Sequence, residues 1–184
     1  MSEQEPQAGA DKTPAERPAR HGPPVAEAPQ VLDARGQASA KLLAQAAGAH
    51  ALASGGGHDT PWVRVASEHL VDVAKRLRDG AFGAQMLHLI AAVDYEERIE
   101  VNYLFLSATK GHTGQVKVDV SPDAPELPSL TGLWTAAGWF ERETHDLFGV
   151  VFEGNPDLSP LLLYEGFEGH PGLRSYPFND YQEW

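Results

Sequence analysis

The chain has 184 residues, 42% of them hydrophobic, which is enough for one domain with a buried core and excludes wholesale disorder. It contains no cysteine, so disulfides, zinc–cysteine sites, cysteine-ligated iron–sulfur clusters and thiol nucleophiles are excluded. Its formal net charge of −12 disfavours binding to nucleic acid and suits a basic protein partner.

Residues 1–33 are rich in proline, alanine and glycine and nearly lack large apolar side chains. Such a composition cannot bury enough surface to offset chain entropy, so we predict a flexible tail that acts as a spacer. The chain has no apolar run near the roughly 20 residues that a membrane span needs, and its N-terminus lacks a signal pattern. We therefore expect a soluble protein on the cytoplasmic side.

Residues 34–120 alternate helix and strand signals and are predicted to form one α+β domain. An alanine-rich helix is expected over residues 37–50, followed by a flexible glycine loop at residues 54–58. A strand at residues 62–65 then leads to a helix over residues 67–78, with Ser67 as its N-cap and Gly80 as its stop.

Two apolar segments follow, at residues 85–93 and 99–107, and a short polar link predicts that they pair as an antiparallel hairpin. The alternating Val116, Val118 and Val120 add a third strand. The fold class is thus α+β: a small mixed sheet with helices on one face, followed by a motif helix and an extended C-terminal arm.

Residues 121–149 are predicted to be a proline-rich linker, up to Pro128, and the motif helix. Ser129 or Thr131 is expected to cap the helix, and Gly149 is a fitting residue to end it. Gly138 lies within the helical pattern and suggests that a backbone or a large ring passes close by.

Glu141, Glu143 and Asp146 lie towards the C-terminal end of this helix, where the helix dipole favours cations. Arg142 is spaced to pair with Asp146, although the order is the weaker one. The carboxylates therefore need another partner. The favoured interpretation is that they bind backbone donors or arginines, within the protein or on a neighbour, and that a second polypeptide supplies the missing charges and surface.

Two other interpretations of these charges stay open. Glu141 and His145 are four residues apart and could serve as a base and an acid, although no nucleophile or oxyanion donor accompanies them. The same two residues could bind a metal together with Glu168 or His170, although two ligands on one helix are a weak signal.

Residues 150–184 are predicted to form an extended arm that wraps a partner. Prolines at four positions prevent one continuous helix, and many large apolar side chains accompany them. These side chains are Phe152, Leu158, Leu161, Leu162, Leu163, Tyr164, Phe167, Tyr176, Phe178, Tyr181 and Trp184. From residue 121 onwards the chain is also strongly acidic, with Arg142 and Arg174 as its only basic residues apart from histidine.

The segment from residue 134 to 177 carries a compound motif: Glu-Arg-Glu-x-x-Asp-Leu-Phe-Gly, then Phe-x-Gly-x-Pro-Asp-Leu, then Gly-Phe-Glu-Gly-His-Pro. It resembles the signature of the C-type subunit of NADH-quinone oxidoreductase, respiratory complex I, also called the thirty-kilodalton subunit family. The residues that carry this motif and that we assign to a partner interface are Glu141, Arg142, Glu143, Asp146, Phe148, Gly149, Pro156, Asp157, Glu168, Gly169, His170, Pro171, Arg174, Tyr176 and Pro177.

The resemblance implies a non-catalytic member of the peripheral arm that supports electron transfer from NADH to quinone. It implies docking on the larger D-type subunit, which helps form the quinone site and which we call the quinone-site subunit. It also implies that this chain binds no cofactor, and that NADH, FMN, iron–sulfur clusters and quinone belong to partner subunits. The expected location is peripheral, on the cytoplasmic face of the inner, or plasma, membrane. The homologous subunit of a membrane-bound energy-converting nickel–iron hydrogenase is the alternative.

This sequence departs from the family pattern at three places. Asn155 stands where the family usually has histidine, and Ser159–Pro160 stands where arginine usually follows. Gly172 is inserted before Leu173. Basic groups are thus missing from an interface that is expected to be charged.

Overall fold

A computed structural model describes residues 31–177 of the chain. Residues 1–30, which make up most of the predicted tail, and residues 178–184 at the end of the predicted arm lie outside the described residues. The proposed division into tail, domain, linker and arm stays a prediction.

The first helix, α1, spans Ala34–Ala47 and ends in a 3-10 turn over Gly48–His50. It begins three residues before its predicted start because the carboxylate of Asp33 accepts a hydrogen bond from the N–H of Gly36 at 2.8 Å. This contact satisfies one of the free donors at the helix N-terminus.

The glycine segment predicted as a flexible loop is instead an edge strand, β1, spanning Ala53–Gly57. It pairs with β2, Thr60–Arg64, in an antiparallel register that sets Gly55 opposite Trp62. A side chain at Gly55 would come within 2.6 Å of the Trp62 indole, so glycine lets the ring lie against the strand.

The second helix, α2, spans Leu70–Asp79 after a 3-10 turn at Ser67–His69. The predicted N-cap was wrong, since the Ser67 side chain makes no capping hydrogen bond. The predicted end was right: Gly80 is the C-cap and donates its N–H to the carbonyl of Arg76 at 2.9 Å.

Strands β3, Met86–Asp94, β4, Ile99–Ser107, and β5, His112–Val120, form the predicted meander. The sheet order is β1-β2-β5-β4-β3, and β2 pairs with β5 in parallel while the other pairs are antiparallel. The predicted small mixed sheet of an α+β fold is therefore confirmed.

One face of the sheet forms the core, with Val101, Tyr103 and Phe105 of β4 fully buried beneath the helices. The other face is polar at its centre, where the buried carboxylate of Glu100 pairs with Arg64 and with Lys117. Alternate residues of a strand point to opposite faces, which explains why the apolar residues line one face and the Glu100 ion pairs lie on the other.

The proline-rich segment before the motif helix contains a short strand, β6, Glu126–Pro128, which pairs in parallel with β7, Val151–Glu153. Leu127 and Phe152 of this pair are buried. The segment predicted to be a linker is therefore packed against the residues that follow the motif helix.

The motif helix, α3, spans Ala137–Phe148 and begins later than predicted. Ser129 does not cap it; its hydroxyl instead accepts the N–H of Thr131 at 3.1 Å, within turns that precede the helix. The close approach expected at Gly138 was also wrong, since a side chain there would meet only Thr131, at 3.6 Å.

Candidate interaction site: the α3 carboxylates and the C-terminal arm

The described part of the arm, residues 150–177, folds back over the C-terminal half of α3. The turn that permits this is at Gly149, which ends the helix with a φ of 74° and donates its N–H to the carbonyl of His145 at 2.8 Å. Only glycine adopts this left-handed conformation at little cost. The ring of His170 also lies here, and a side chain at Gly149 would come within 2.7 Å of it.

Glu141 is fully buried and joins the arm to the turn before α3. Its carboxylate accepts the N–H of Leu130 at 2.7 Å, the hydroxyl of Ser129 at 2.7 Å and the side-chain amide of Asn155 at 2.8 Å. Burial raises the pKa of the Glu141 carboxyl, and these three hydrogen bonds offset only part of that effect.

Asp146 holds the arm through its backbone. One oxygen, Oδ2, accepts three consecutive N–H groups, from Leu161 at 3.2 Å, Leu162 at 2.8 Å and Leu163 at 2.9 Å. Burial alone would raise the pKa of this carboxyl, but the three donors outweigh it and hold the pKa below its usual range.

Arg142 holds the arm between these two points. Its guanidinium donates to the carbonyl and hydroxyl of Ser159 at 3.0 and 3.1 Å and to the carbonyl of Pro160 at 3.0 Å. It also lies 3.8 Å from the carboxylate of Asp157. Arg142 does not pair with Asp146 as predicted, because its guanidinium is turned towards Ser159 and Pro160 of the arm.

The favoured interpretation is thus correct in that these carboxylates bind donors within the protein, and wrong in that a second polypeptide must supply the missing charges. Glu141 and Asp146 bind donors of their own chain, so a second polypeptide is not needed to satisfy either of them. The arm backbone is docked on α3, and Val150 and Phe152 at its start are buried in the core. Two large apolar side chains farther along are not: Leu162 and Tyr164 are 59% and 71% exposed.

The two histidines of the site donate to backbone carbonyls. Nδ1 of His145 lies 3.0 Å from the carbonyl oxygen of Val150, and Nδ1 of His170 lies 3.0 Å from that of Asp146. Because a carbonyl only accepts, each Nδ1 carries a proton in these contacts. The ring centroids are 6.3 Å apart.

Neither alternative chemistry finds support in this geometry. Glu141 is occupied by the donors described above, and His145 donates to a carbonyl, so they do not form an acid–base pair. Within residues 31–177 no group of three or more His, Asp or Glu side chains is arranged to hold a metal ion.

The last part of the arm runs to the tip of the β3–β4 hairpin. Gly172 donates its N–H to the carbonyl of Leu147 at 2.8 Å. A side chain at Gly172 would come within 2.8 Å of the Phe148 ring. Arg174 then donates its backbone N–H to Asp94 at 2.8 Å, and its guanidinium lies 3.4 Å from Glu96.

The remaining motif residues are split between contact and exposure. Gly169 packs against the ring of Tyr176, which stacks on Phe167 with 6.0 Å between centroids. Pro171 and Glu143 are half-buried. The exposed members are Pro156, Asp157, Glu168, Arg174 and Pro177. The structure therefore brings Glu141, Arg142, Asp146, Gly149 and His170 together. It leaves the five exposed motif residues at the surface.

The three departures from the family pattern all lie at points where the arm is held. The Asn155 amide donates a hydrogen bond to the Glu141 carboxylate, and Ser159 accepts one from the Arg142 guanidinium. The N–H of Gly172 donates to a backbone carbonyl at the C-terminal end of α3. Asp94 was not predicted as an arm contact. Asp94 lies at the end of β3, before a tight turn, and aspartates in turns commonly bind backbone N–H groups. This position could have indicated that its carboxylate accepts a backbone hydrogen bond.

A family model described as "Respiratory-chain NADH dehydrogenase, 30 Kd subunit" matches residues 63–182. The chain belongs to this family. Its similarity to the C-type subunit of NADH-quinone oxidoreductase, predicted from the motif, is confirmed by curated relatives that carry that name. It is 42% identical over 144 residues to the relative from Erythrobacter litoralis, covering 77% of this chain and 57% of that protein.

A second relative of the same name, from Novosphingobium aromaticivorans, is 41% identical over 144 residues. That match covers 77% of this chain and 46% of the relative, so the chain spans about half the length of these two relatives.

Solved structures of similar fold include a trypsin-resistant fragment of Nqo5, at 35% identity and a TM-score of 0.52, covering 56% of this chain and 86% of that one. A chain from the membrane-bound sulfane sulfur reductase, an archaeal respiratory membrane complex, has a TM-score of 0.67 over 77% of this chain and 85% of that one. At 23% identity this second likeness supports the fold alone. In this member of the thirty-kilodalton family, no helix within residues 31–177 is long and apolar enough to cross a membrane.

Proposed function

We propose that this chain is a non-catalytic subunit in the peripheral arm of a proton-translocating NADH-quinone oxidoreductase. It docks on the quinone-site subunit, near the quinone-reducing module and on the cytoplasmic face of the membrane. There it supports electron transfer from NADH to quinone without binding a cofactor itself. NADH, FMN, iron–sulfur clusters and quinone are held by partner subunits.

The observation that supports this proposal is that the arm has a fixed backbone and exposed large apolar side chains. Its backbone is fixed to α3 by Glu141, Arg142 and Asp146, while the side chains of Leu162 and Tyr164 point away from the core and stay exposed. A segment that is ordered by buried carboxylates and yet keeps large apolar groups in solvent is typical of a binding surface.

The arrangement favours tight docking for two physical reasons. Burying an exposed leucine or aromatic side chain stabilises a complex by about 1.5–3 kcal/mol. An arm that is already fixed on its own helix also loses little conformational entropy when the partner binds. The surrounding acidic surface suits a basic partner and would steer its approach.

The proposal is tested by measuring affinity for the purified quinone-site subunit, with the double variant Leu162→Ser and Tyr164→Ser. Loss of these two anchors is expected to weaken binding by at least about 100-fold, since the two area terms above sum to about 3 kcal/mol or more. Leu52→Ser is the matched control, because Leu52 is 68% exposed and lies in the segment between α1 and β1.

We expect Leu52→Ser to bind the quinone-site subunit like the unmodified chain. Equal affinity of the double variant and the control would show that the arm is not the docking surface. If the unmodified chain failed to bind this partner at all, its assignment as the docking partner would be refuted.

The alternative assembly is a membrane-bound nickel–iron hydrogenase, and the sulfane sulfur reductase likeness shows that the fold also occurs in another membrane complex. The two assemblies differ in what accompanies this chain. Co-purification with an NADH-oxidising flavoprotein supports complex I, whereas co-purification with nickel supports the hydrogenase.

A further inference from the structure

A small cleft lies between the C-terminal half of α3 and the arm, and we call it the α3–arm cleft. Its walls include Asp146, His145 and His170 on one side and the rings of Tyr164 and Phe167 on the other. Its volume is about 160 Å³. Because one water needs roughly 10–15 Å³ of such volume, the cleft has room for several waters or for one planar side-chain head group.

The carboxylate of Asp146 lines this cleft and has one oxygen free to accept. Asp146 uses Oδ2 for the three N–H groups of the arm, and Oδ1 receives no hydrogen bond from residues 31–177. The carboxylate is ionised at neutral pH because those donors keep its pKa low. His145 and His170 also line the cleft, and both use Nδ1 to donate to backbone carbonyls of the chain itself.

The charge around the cleft also favours a cation. Glu165 and Glu168 lie exposed on the arm beside its wall residues Tyr164, Phe167 and Gly169. The nearest arginine in sequence, Arg142, already donates to Ser159 and Pro160. The protein thus presents a buried carboxylate and aromatic rings, with no lysine or arginine among the cleft-lining residues.

We propose that the α3–arm cleft receives an arginine side chain of the partner protein. This inference rests on the proposed docking function and names the chemical group that the partner contributes. Arginine fits better than lysine because its planar guanidinium offers several donors in fixed directions, so that it can donate to the carboxylate while its flat face lies against a neighbouring group. The flat guanidinium also stacks on aromatic faces such as those of Tyr164 and Phe167.

The first experiment titrates methylguanidinium into the unmodified full chain, with the imidazole nitrogens observed by NMR. We expect saturable shifts of the Nε2 resonances of His145 and His170, and no shift of the exposed His88 on β3. Tetramethylammonium, a cation without hydrogen-bond donors, should leave all three unchanged, and methylammonium should bind more weakly. Absence of a saturable shift, or an equal shift at His88, would overturn the proposal.

The second experiment measures affinity for the quinone-site subunit with Asp146→Asn. The asparagine oxygen can still accept the N–H groups of Leu161–Leu163, while its NH₂ replaces Oδ1 and repels a guanidinium donor. We expect at least a tenfold loss of affinity, with the amide resonances of residues 161–163 kept in place. The charge-matched control Asp123→Asn, at an exposed position outside the cleft and before β6, should change affinity by less than twofold.

Equal affinity of the two variants would overturn the arginine proposal while leaving the docking function intact. If the amide resonances show that Asp146→Asn releases the arm, the titration of the unmodified chain decides whether the cleft binds a guanidinium group. If the unmodified chain shows no binding to the quinone-site subunit, the docking function fails, and the titration still reports separately on the cleft.

Discussion

Asp146 lies in the last turn of α3, where the helix dipole disfavours acids, whereas Glu141 lies in the second turn and is buried. An acid near a helix C-terminus costs about 0.3–1 kcal/mol. Each of these carboxylates accepts three hydrogen bonds, and a bond to a charged group contributes about 1.5–3 kcal/mol. The local cost is therefore outweighed within the chain.

The raised pKa of Glu141 makes stability depend on pH in a defined direction. Because the folded pKa lies above the unfolded value of about 4.3, the contribution of Glu141 is fully present below that value and is lost as pH rises through the folded pKa. We expect the free energy of unfolding of the unmodified chain, relative to Glu141→Gln, to decrease as pH rises from about 4 to 7.

Chemical denaturation at several pH values measures this difference. Glu126→Gln, at an exposed position of β6, serves as the control and should show no comparable trend. A difference between Glu141→Gln and the unmodified chain that stays constant, or that grows with pH, would contradict a raised pKa.

At the scale of elements, the junction of α3 with the arm depends on close backbone approach. Gly149 combines a positive φ with contact to the ring of His170. We expect Gly149→Ala to lower the free energy of unfolding by about 2 kcal/mol, since a left-handed residue with a Cβ costs about 1–2 kcal/mol and the ring must also move.

Gly132→Ala is the matched control, because nothing lies within 4 Å of a side chain placed there. It should change the free energy of unfolding by less than about 0.5 kcal/mol, as surface substitutions usually do. If thermal or chemical denaturation gave the same change for both alanine variants, the close packing of His170 on the helix end would be wrong.

The sequence predicted those elements whose pattern is local. Alternation in β4 and β5 and the short link at residues 95–98 indicated the hairpin and the third strand, and the glycines at 80 and 149 marked two helix ends correctly. The edge strand β1 was missed because its glycines have no apolar alternation. Gly55 is explained by Trp62 on the paired strand, and Gly56 by the close backbone of Thr60 and Pro61.

The internal partners of the carboxylates could not be predicted for a related reason. Glu141 bonds a residue eleven positions before it, and Asp146 bonds residues fifteen to seventeen positions after it. Such contacts join a helix to irregular chain, and no periodicity records them. The motif therefore indicated that the acids matter but not that their own chain binds them.

At the scale of the whole molecule, the arm connects two separate parts of the fold. It begins at β7 beside β6, crosses α3, and reaches the hairpin tip, where Arg174 bonds Asp94 eighty residues away in sequence. Its backbone thus belongs to the folded unit, while Leu162 and Tyr164 remain available to a partner. A member of the thirty-kilodalton family can in this way present a preformed surface.

Hydrogen exchange at the amides of Leu161–Leu163 in the isolated chain tests this central claim most directly. Because these amides bond the buried carboxylate of Asp146, we expect them to exchange at least about tenfold more slowly than an unstructured chain, and to lose that protection in Asp146→Ala. Exchange at the unstructured rate in the free protein, with protection gained only after the quinone-site subunit has bound, would show that the arm is not fixed before docking.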